Sequence, residues 1–220
     1  MRHQFLSLLF FFFFALSACS GGDKGDDTAD GEDIKSTDQD AVLVVVDTSE
    51  GEFTLELDRN RAPGTVDNFL SYVDDGFYEG TTFHRIIKDF MIQGGGFDKN
   101  LEKKTAGLKT PIKNEADNKL SNERGTVSMA RTSLINSATS QFFVNLANNT
   151  RLDHRGSSAR EFGYAVFGKV VKGMEIIDSI AVLTVDCSST PPILKCERPL
   201  KGMRDVPSTP VVINSITRKD

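Results

Sequence analysis

The chain has 220 residues, and residues 41–220 are enough for a single domain with a sizeable core. Its formal charge of −5 is local in origin: residues 20–40 hold eight acids against Lys24 and Lys35, Arg2 adds one positive charge, and residues 41–220 are formally neutral. A neutral folded part offers no clustered basic face, so nucleic acid is not an expected partner.

Arg2 and His3 give a short basic start, followed by the apolar run Phe5 to Leu16, in which Phe10 to Phe14 is unbroken. That run falls short of the roughly 20 residues that span a bilayer. Basic, apolar and then small residues are the order of a secretory signal. Leu16-Ser17-Ala18-Cys19 resembles the lipobox of bacterial lipoproteins, whose cysteine is lipidated and becomes the first residue. Residues 1–18 are thus expected to be a lipoprotein signal peptide. The alternative is an ordinary cleaved signal with an incidental cysteine. The expected location is the bacterial cell envelope, with the domain lipid-anchored and facing the periplasm. Residues 19–40 read as lipidated Cys19 and a disordered acidic tether, rich in Gly, Asp, Ser and Thr around the isolated Ile34. Such a segment cannot bury enough apolar surface to offset its ordering entropy. Its acids lack the spacing and glycine turn of a calcium loop.

Residues 41–220 form the expected folded domain. Val42 to Val46 is β-branched, and Gly51 to Leu57 alternates Phe53, Leu55 and Leu57 with polar residues; with turn chemistry at Asp47 to Gly51, this predicts a hairpin. Pro63 opens a helix whose Val66, Phe69, Leu70 and Val73 form one apolar stripe, stopped by Gly76. Thr82 to Ile87 and Phe90 to Gly94 read as strands, the second ended by Gly94-Gly95-Gly96. Lys99 to Ser121 is polar and reads as loop. Gly125 to Ala130, Gln141 to Val144, Ala165 to Val170 and Val211 to Thr217 read as further strands, and Met174 to Ile180 as a second short helix. Many short strands with two separated helices suggest a closed β-barrel with helical caps, which pattern alone does not separate from a sandwich.

Thr82 to Phe97 reads TFHRIIKDFMIQGGGF and sets Arg85 among Phe83, Ile86, Ile87, Phe90, Met91 and Ile92. A cation on an apolar surface is costly unless something uses it. This stretch resembles the signature of the cyclophilins, the cyclosporin-binding peptidyl-prolyl isomerases. SQFFV at Ser140 to Val144 and FGYAVFGKV at Phe162 to Val170 match the same family in its order and near its spacing. The resemblance covers about Val42 to Ile216. It implies a mainly β fold: a closed eight-stranded antiparallel β-barrel capped by two α-helices.

It also implies the activity, peptidyl-prolyl cis-trans isomerisation of Xaa-Pro bonds, with Pro-containing unfolded or folding polypeptides as partners; the signal makes these extracytoplasmic proteins. Loss of amide resonance sets a barrier of about 18–20 kcal/mol. A donor aimed at the lone pair that forms on the pyramidal proline nitrogen stabilises the twisted state selectively. Arg85 supplies a permanently charged, rigid fork of donors. By resemblance Arg85, Phe90 and Gln93 occupy catalytic positions, and Met91, Ala130, Gln141, Phe143, Leu152 and Tyr164 line the proline pocket and peptide groove. Read without the family, Phe90, Met91 and Phe143 are simply barrel core. The competing functional class is a non-catalytic cyclophilin-like module that binds Pro-containing segments as a chaperone or scaffold; it would not need the cation. No metal or cofactor is expected, and a monomer is.

Several features depart from the best-known eukaryotic pattern. Arg151 stands where those proteins carry a tryptophan, so weak cyclosporin binding is expected. Tyr164 replaces a histidine and resembles the bacterial branch. Ile87-Lys88-Asp89 lacks the usual proline-glycine pair. His84 reads as structural, and Asn148-Asn149-Thr150 as a sequon without consequence in a bacterial lipoprotein. With Cys19 lipidated, Cys187 and Cys196 remain as an even pair in an oxidising compartment. They are expected to close a disulfide across a turn-rich insertion, with two buried free thiols or a zinc site as the alternatives.

Overall fold

A computed structural model describes residues 41–186 and 203–219. The expected lipidated Cys19, the tether and the Cys187–Cys196 pair lie outside the described residues. The first hairpin joins β1 (Ala41–Thr48) and β2 (Gly51–Asp58). Helix α1 (Pro63–Asp74) follows, then β3 (Thr81–Ile87) and β4 (Met91–Asp98). Four-residue strands β5 (Thr126–Met129) and β6 (Phe142–Asn145) precede β7 (Val166–Lys172) and α2 (Met174–Ala181). Two-residue strands β8 (Val185–Asp186) and β9 (Val206–Pro207) pair with each other, and β10 (Ile213–Lys219) completes the set.

Eight strands form one antiparallel sheet in the order β10-β1-β2-β7-β5-β6-β4-β3. The sheet curls but stays open, so the closed barrel expected from the family is corrected. Its edges β3 and β10 meet through one isolated bridge, Thr82 to Val212, rather than a ladder. The chain that runs along β3 explains this. The amides of Gly80, Phe83 and Ile86 donate to the carbonyls of Ile213, Val211 and Asp205, at 2.9, 2.9 and 2.7 Å. Between those contacts lie Pro207 and Pro210, which have no N–H to continue a ladder.

The core sits on the concave face of this sheet and against both helices. Val66, Phe69, Leu70 and Val73 of α1 and Ile177 and Ile180 of α2 join Val44, Leu55, Phe83, Ile92, Phe142 and Phe167 in it. Phe69 is its hub, with ring centroids of Tyr78, Phe142 and Phe167 at 5.1, 5.5 and 5.2 Å. Helix α1 begins without a capping side chain of its own; Ala62 precedes it and Pro63 opens it. Its orphan first-turn donors are met from outside, by Glu115. The amides of Gly64 and Thr65 donate to the two carboxylate oxygens at 3.1 and 2.8 Å, and the Thr65 hydroxyl donates at 2.7 Å.

The strand boundaries differ from the sequence reading most at Gly94-Gly95-Gly96, which lies inside β4 instead of ending it. These glycines serve close approach. A Cβ on Gly96 would sit 2.5 Å from Gln141 Cγ, and one on Gly95, at φ +81°, would meet the Tyr78 ring at 2.9 Å.

Candidate active site

Strands β3, β4 and β6 carry the site on the face turned away from the core. Ile86, Ile92, Phe142 and Val144 point inward, and their neighbours Arg85, Ile87, Met91, Gln93 and Phe143 take the other face. Register aligns the key positions: Arg85 is opposite Gln93 on β4, and Gln93 is opposite Phe143 on β6.

Simple alternation would have sent Arg85 the wrong way. Phe83 faces the core, so a regular strand would place Arg85 there too. The pairing moves from Phe83–Gly94 to Arg85–Gln93, two residues along β3 against one along β4. His84 is therefore the extra residue of a β-bulge, and the bulge turns Arg85 outward. His84 itself is buried against Phe97, with ring centroids 4.6 Å apart. Its Nδ1 is the one buried side-chain polar atom without a partner among the described residues. Burial pushes its pKa down to about 4, so the ring is neutral.

Around this row lies a second apolar cluster, separate from the main core. Ile87, Met91 and Phe143 are buried in it, and Phe90, Ala130, Leu152 and Tyr164 pack against them half-exposed. The reading of Phe90, Met91 and Phe143 as barrel core is thereby replaced: none of the three belongs to the main core cluster. Tyr164 stands edge-on to Phe143 at 5.7 Å. Gln93 Nε2 donates to Gln141 Oε1 at 2.9 Å, which fixes both amides at the cluster's border.

Arg85 stands at the rim with its side chain 43% exposed. Its Nε lies 3.7 Å from Oδ2 of Asp205, whose side chain is 1% exposed. That is an ion pair beyond hydrogen-bond length. Among the described residues the Arg85 side chain makes no hydrogen bond, so its donors are open to a ligand while the buried carboxylate restrains the charge. Asp205 has φ 61° and its carbonyl accepts from the Ile86 amide. Nothing in the local sequence marks it, because it reaches β3 from more than a hundred residues away.

The loops are pinned by buried amides. Phe90 ends a turn closed by its amide on the Ile87 carbonyl at 3.1 Å, with Asp89 at φ 57°. Aspartate tolerates that left-handed region, so the turn forms without the proline-glycine pair. The Phe90 carbonyl accepts from the Leu146 amide at 2.9 Å and from Asn149 Nδ2 at 2.7 Å. Asn149 is thus a buried strut, well away from the role of a surface sequon residue. Asp153 Oδ1 accepts from the Asn122 amide and Nδ2 at 2.7 and 2.9 Å, and its Oδ2 accepts from Ser121 Oγ at 2.7 Å. The Tyr164 amide donates to the Leu152 carbonyl at 3.0 Å, which joins the two half-exposed walls. Two cations flank the cluster. The Arg131 guanidinium stacks on Tyr164 and that of Arg151 on Phe90, each 4.8 Å from the ring centroid.

The site can therefore seat a small apolar ring and set one fixed cation beside it, with amide groups along the border. It presents no nucleophile–base pair, and the described residues contain no cluster of metal-ligating side chains. The family model for "Cyclophilin type peptidyl-prolyl cis-trans isomerase/CLD" matches residues 43–216. The chain is 51% identical to peptidyl-prolyl cis-trans isomerase A of Dickeya dadantii over 172 residues, 78% of this chain and 82% of that one. It is 43% identical to peptidyl-prolyl cis-trans isomerase B of Escherichia coli over 176 residues, 80% of this chain and 98% of that one. In fold it is similar to a cyclophilin-type isomerase from Cryptosporidium parvum, with TM-score 0.61 at 24% identity over 82% of this chain and 98% of the other. The same C. parvum protein has been solved in the presence of the dipeptide Ala-Pro. The chain belongs to the cyclophilin-type peptidyl-prolyl cis-trans isomerases and is an enzyme of that class.

Proposed function

We propose that Arg85 is the catalytic group and that proline rests on the cluster of Phe90, Met91, Phe143, Leu152 and Tyr164. The observation that carries this reading is a guanidinium without a hydrogen bond, restrained by buried Asp205 at the edge of an apolar cluster distinct from the core. Proline's ring enters the apolar hollow and sheds water. As the amide twists, its nitrogen becomes pyramidal and gains a lone pair, to which Arg85 donates. That bond exists only in the twisted state, so it lowers the barrier without tightening ground-state binding. Gln93, Gln141 and Ala130 hold the substrate backbone along the border. Phe90, whose ring carries the Arg151 guanidinium, flanks the pocket, and Leu152 closes it.

A protease-coupled assay on an Ala-Pro-containing peptide tests the assignment. Arg85→Ala should lose at least about tenfold in kcat/KM, equivalent to roughly 1.4 kcal/mol. A smaller loss removes Arg85 from the catalytic role; an inactive wild type makes the domain a Pro-segment binding module.

The setting is likewise proposed: an enzyme lipid-anchored through Cys19 in the bacterial envelope, acting as a monomer on Pro-containing polypeptides that fold outside the cytoplasm. The lipobox-like Leu16-Ser17-Ala18-Cys19 and the acidic segment after it support that reading. Several fatty chains on one cysteine would hold firmly where one holds marginally. Expressed in bacteria, Cys19→Ser protein should leave the membrane fraction; if it stays there, the anchor lies elsewhere. The pairing of Cys187 with Cys196 belongs to the same proposal. Two thiols that alkylate without prior reduction would rule it out.

A further inference from the structure

Beside the proline cluster lies a hollow of about 220 Å³ whose wall includes Gln93, Ala130 and Gln141 together with Lys103, Lys104 and Arg131. It is continuous with the site because those first three residues line both. Its charge is one-sided: three cations and no carboxylate among the residues that line it. Among the described residues none of the three forms an ion pair with an acid. Arg131 donates to backbone carbonyls, through Nε to Gly163 at 2.9 Å, Nη2 to Ala159 at 2.7 Å and Nη1 to Thr132 at 3.0 Å. Lys104 Nζ donates to the Glu79 carbonyl at 2.9 Å and lies 5.2 Å from the Phe77 ring centroid. Lys103 is exposed, and its backbone is fixed by a bridge to Phe97 of β4. Carbonyls and rings hold two of these charges in place without cancelling them. A concave wall of one sign concentrates the opposite sign.

The floor is shaped for a side chain rather than closed by one. Gly96 has no Cβ, and Gln141 lies flat across it, tied to Gln93. An extended peptide with its proline on Phe143 would run past this border, and its alternate side chains turn toward the sheet, one every two residues.

We propose that this hollow selects an acidic side chain close in sequence to the isomerised proline, so that the enzyme prefers Asp or Glu near the Xaa-Pro bond. The inference rests on the proline-binding assignment above and names the substrate class of that same site. The selecting residues are Lys103 and Lys104, with Arg131 adding to the field. The gain is modest, about two- to fivefold, as befits partly exposed charge pairs.

The test uses peptides that differ only at one position, Glu, Gln or Lys, scanned over the two residues on either side of proline. Both kcat/KM and the dissociation constant are measured, the latter by fluorescence anisotropy. At one position Glu should exceed Gln and Gln should exceed Lys. The order should collapse as salt rises to about 1 M, where the screening length falls to about 3 Å. Lys103→Glu/Lys104→Glu protein should reverse the order. Equal values for Glu and Gln at every position overturn the proposal, as does a Glu preference that survives in the double variant. Selective binding without turnover would instead sink the catalytic assignment and leave the charge selection standing.

Discussion

Arg85 and Gln93 face each other across β3 and β4 because one residue, His84, has dropped out of the pairing between them. The outward-facing cation and the buried neutral histidine are two sides of a single bulge. A change that restores regular pairing would turn the guanidinium into the core, where an unpaired charge is untenable.

That bulge is expected to make the protein acid-sensitive. The unfolded chain protonates His84 near its ordinary value of 6.5, whereas the folded chain resists until about 4. Within that window the unfolded state binds more protons, so stability is full above about 6.5 and is lost as pH falls. At about 1.4 kcal/mol per pKa unit, the loss from this one ring reaches roughly 3 kcal/mol at pH 4. Urea titrations at pH 7 and pH 4.5 should show it, and His84→Leu should flatten the difference. An equal pH dependence in wild type and variant would assign the effect to other groups.

Asp205 is expected to act through Arg85 as a positioning residue. Asp205→Asn should lower kcat/KM about three- to tenfold, with KM little changed, because the lost restraint matters when the donor must meet the twisted amide. In an Arg85→Ala background the same substitution should cost nothing further in turnover. Additive losses in the double variant would show that Asp205 affects the fold rather than the guanidinium.

Glu115 supports α1 without belonging to the site. Glu115→Ala leaves the Gly64 and Thr65 amides without their acceptor and should destabilise the fold by about 1–2 kcal/mol. Activity per folded molecule should remain at the wild-type level. Chemical denaturation measures the first and the coupled assay the second.

Cyclosporin should inhibit weakly. Arg151 covers the Phe90 ring, and its guanidinium lacks the apolar area and single N–H donor of an indole. Arg151→Trp should tighten inhibition by about tenfold or more. Tight inhibition of both proteins alike would show that this position does not set affinity.

The helices, the first hairpin and the residues that gather in the second apolar cluster were legible in the sequence, because period and motif both mark them. The bulge was not: a one-residue slip leaves the composition of Thr82 to Ile87 untouched while reversing which face Arg85 takes. Gly94-Gly95-Gly96 read as a stop because glycine usually ends a strand, yet here Gln141 and Tyr78 press against the backbone. Asp205 and the Asn122–Asp153 pairing escaped notice for a different reason. Each is an ordinary polar residue in a loop, and its partner lies far off in the chain. The open seam was hidden by the family likeness, while Pro207 and Pro210 carry the physical reason for it.

The strand that bears Arg85 is clasped along its outer edge by backbone made much later, through the carbonyls of Asp205, Val211 and Ile213. The restraint on Arg85 is thus supplied from the far end of the domain, so a chain cut before Asp205 would keep every residue of the apolar cluster and lose the carboxylate that steadies the guanidinium.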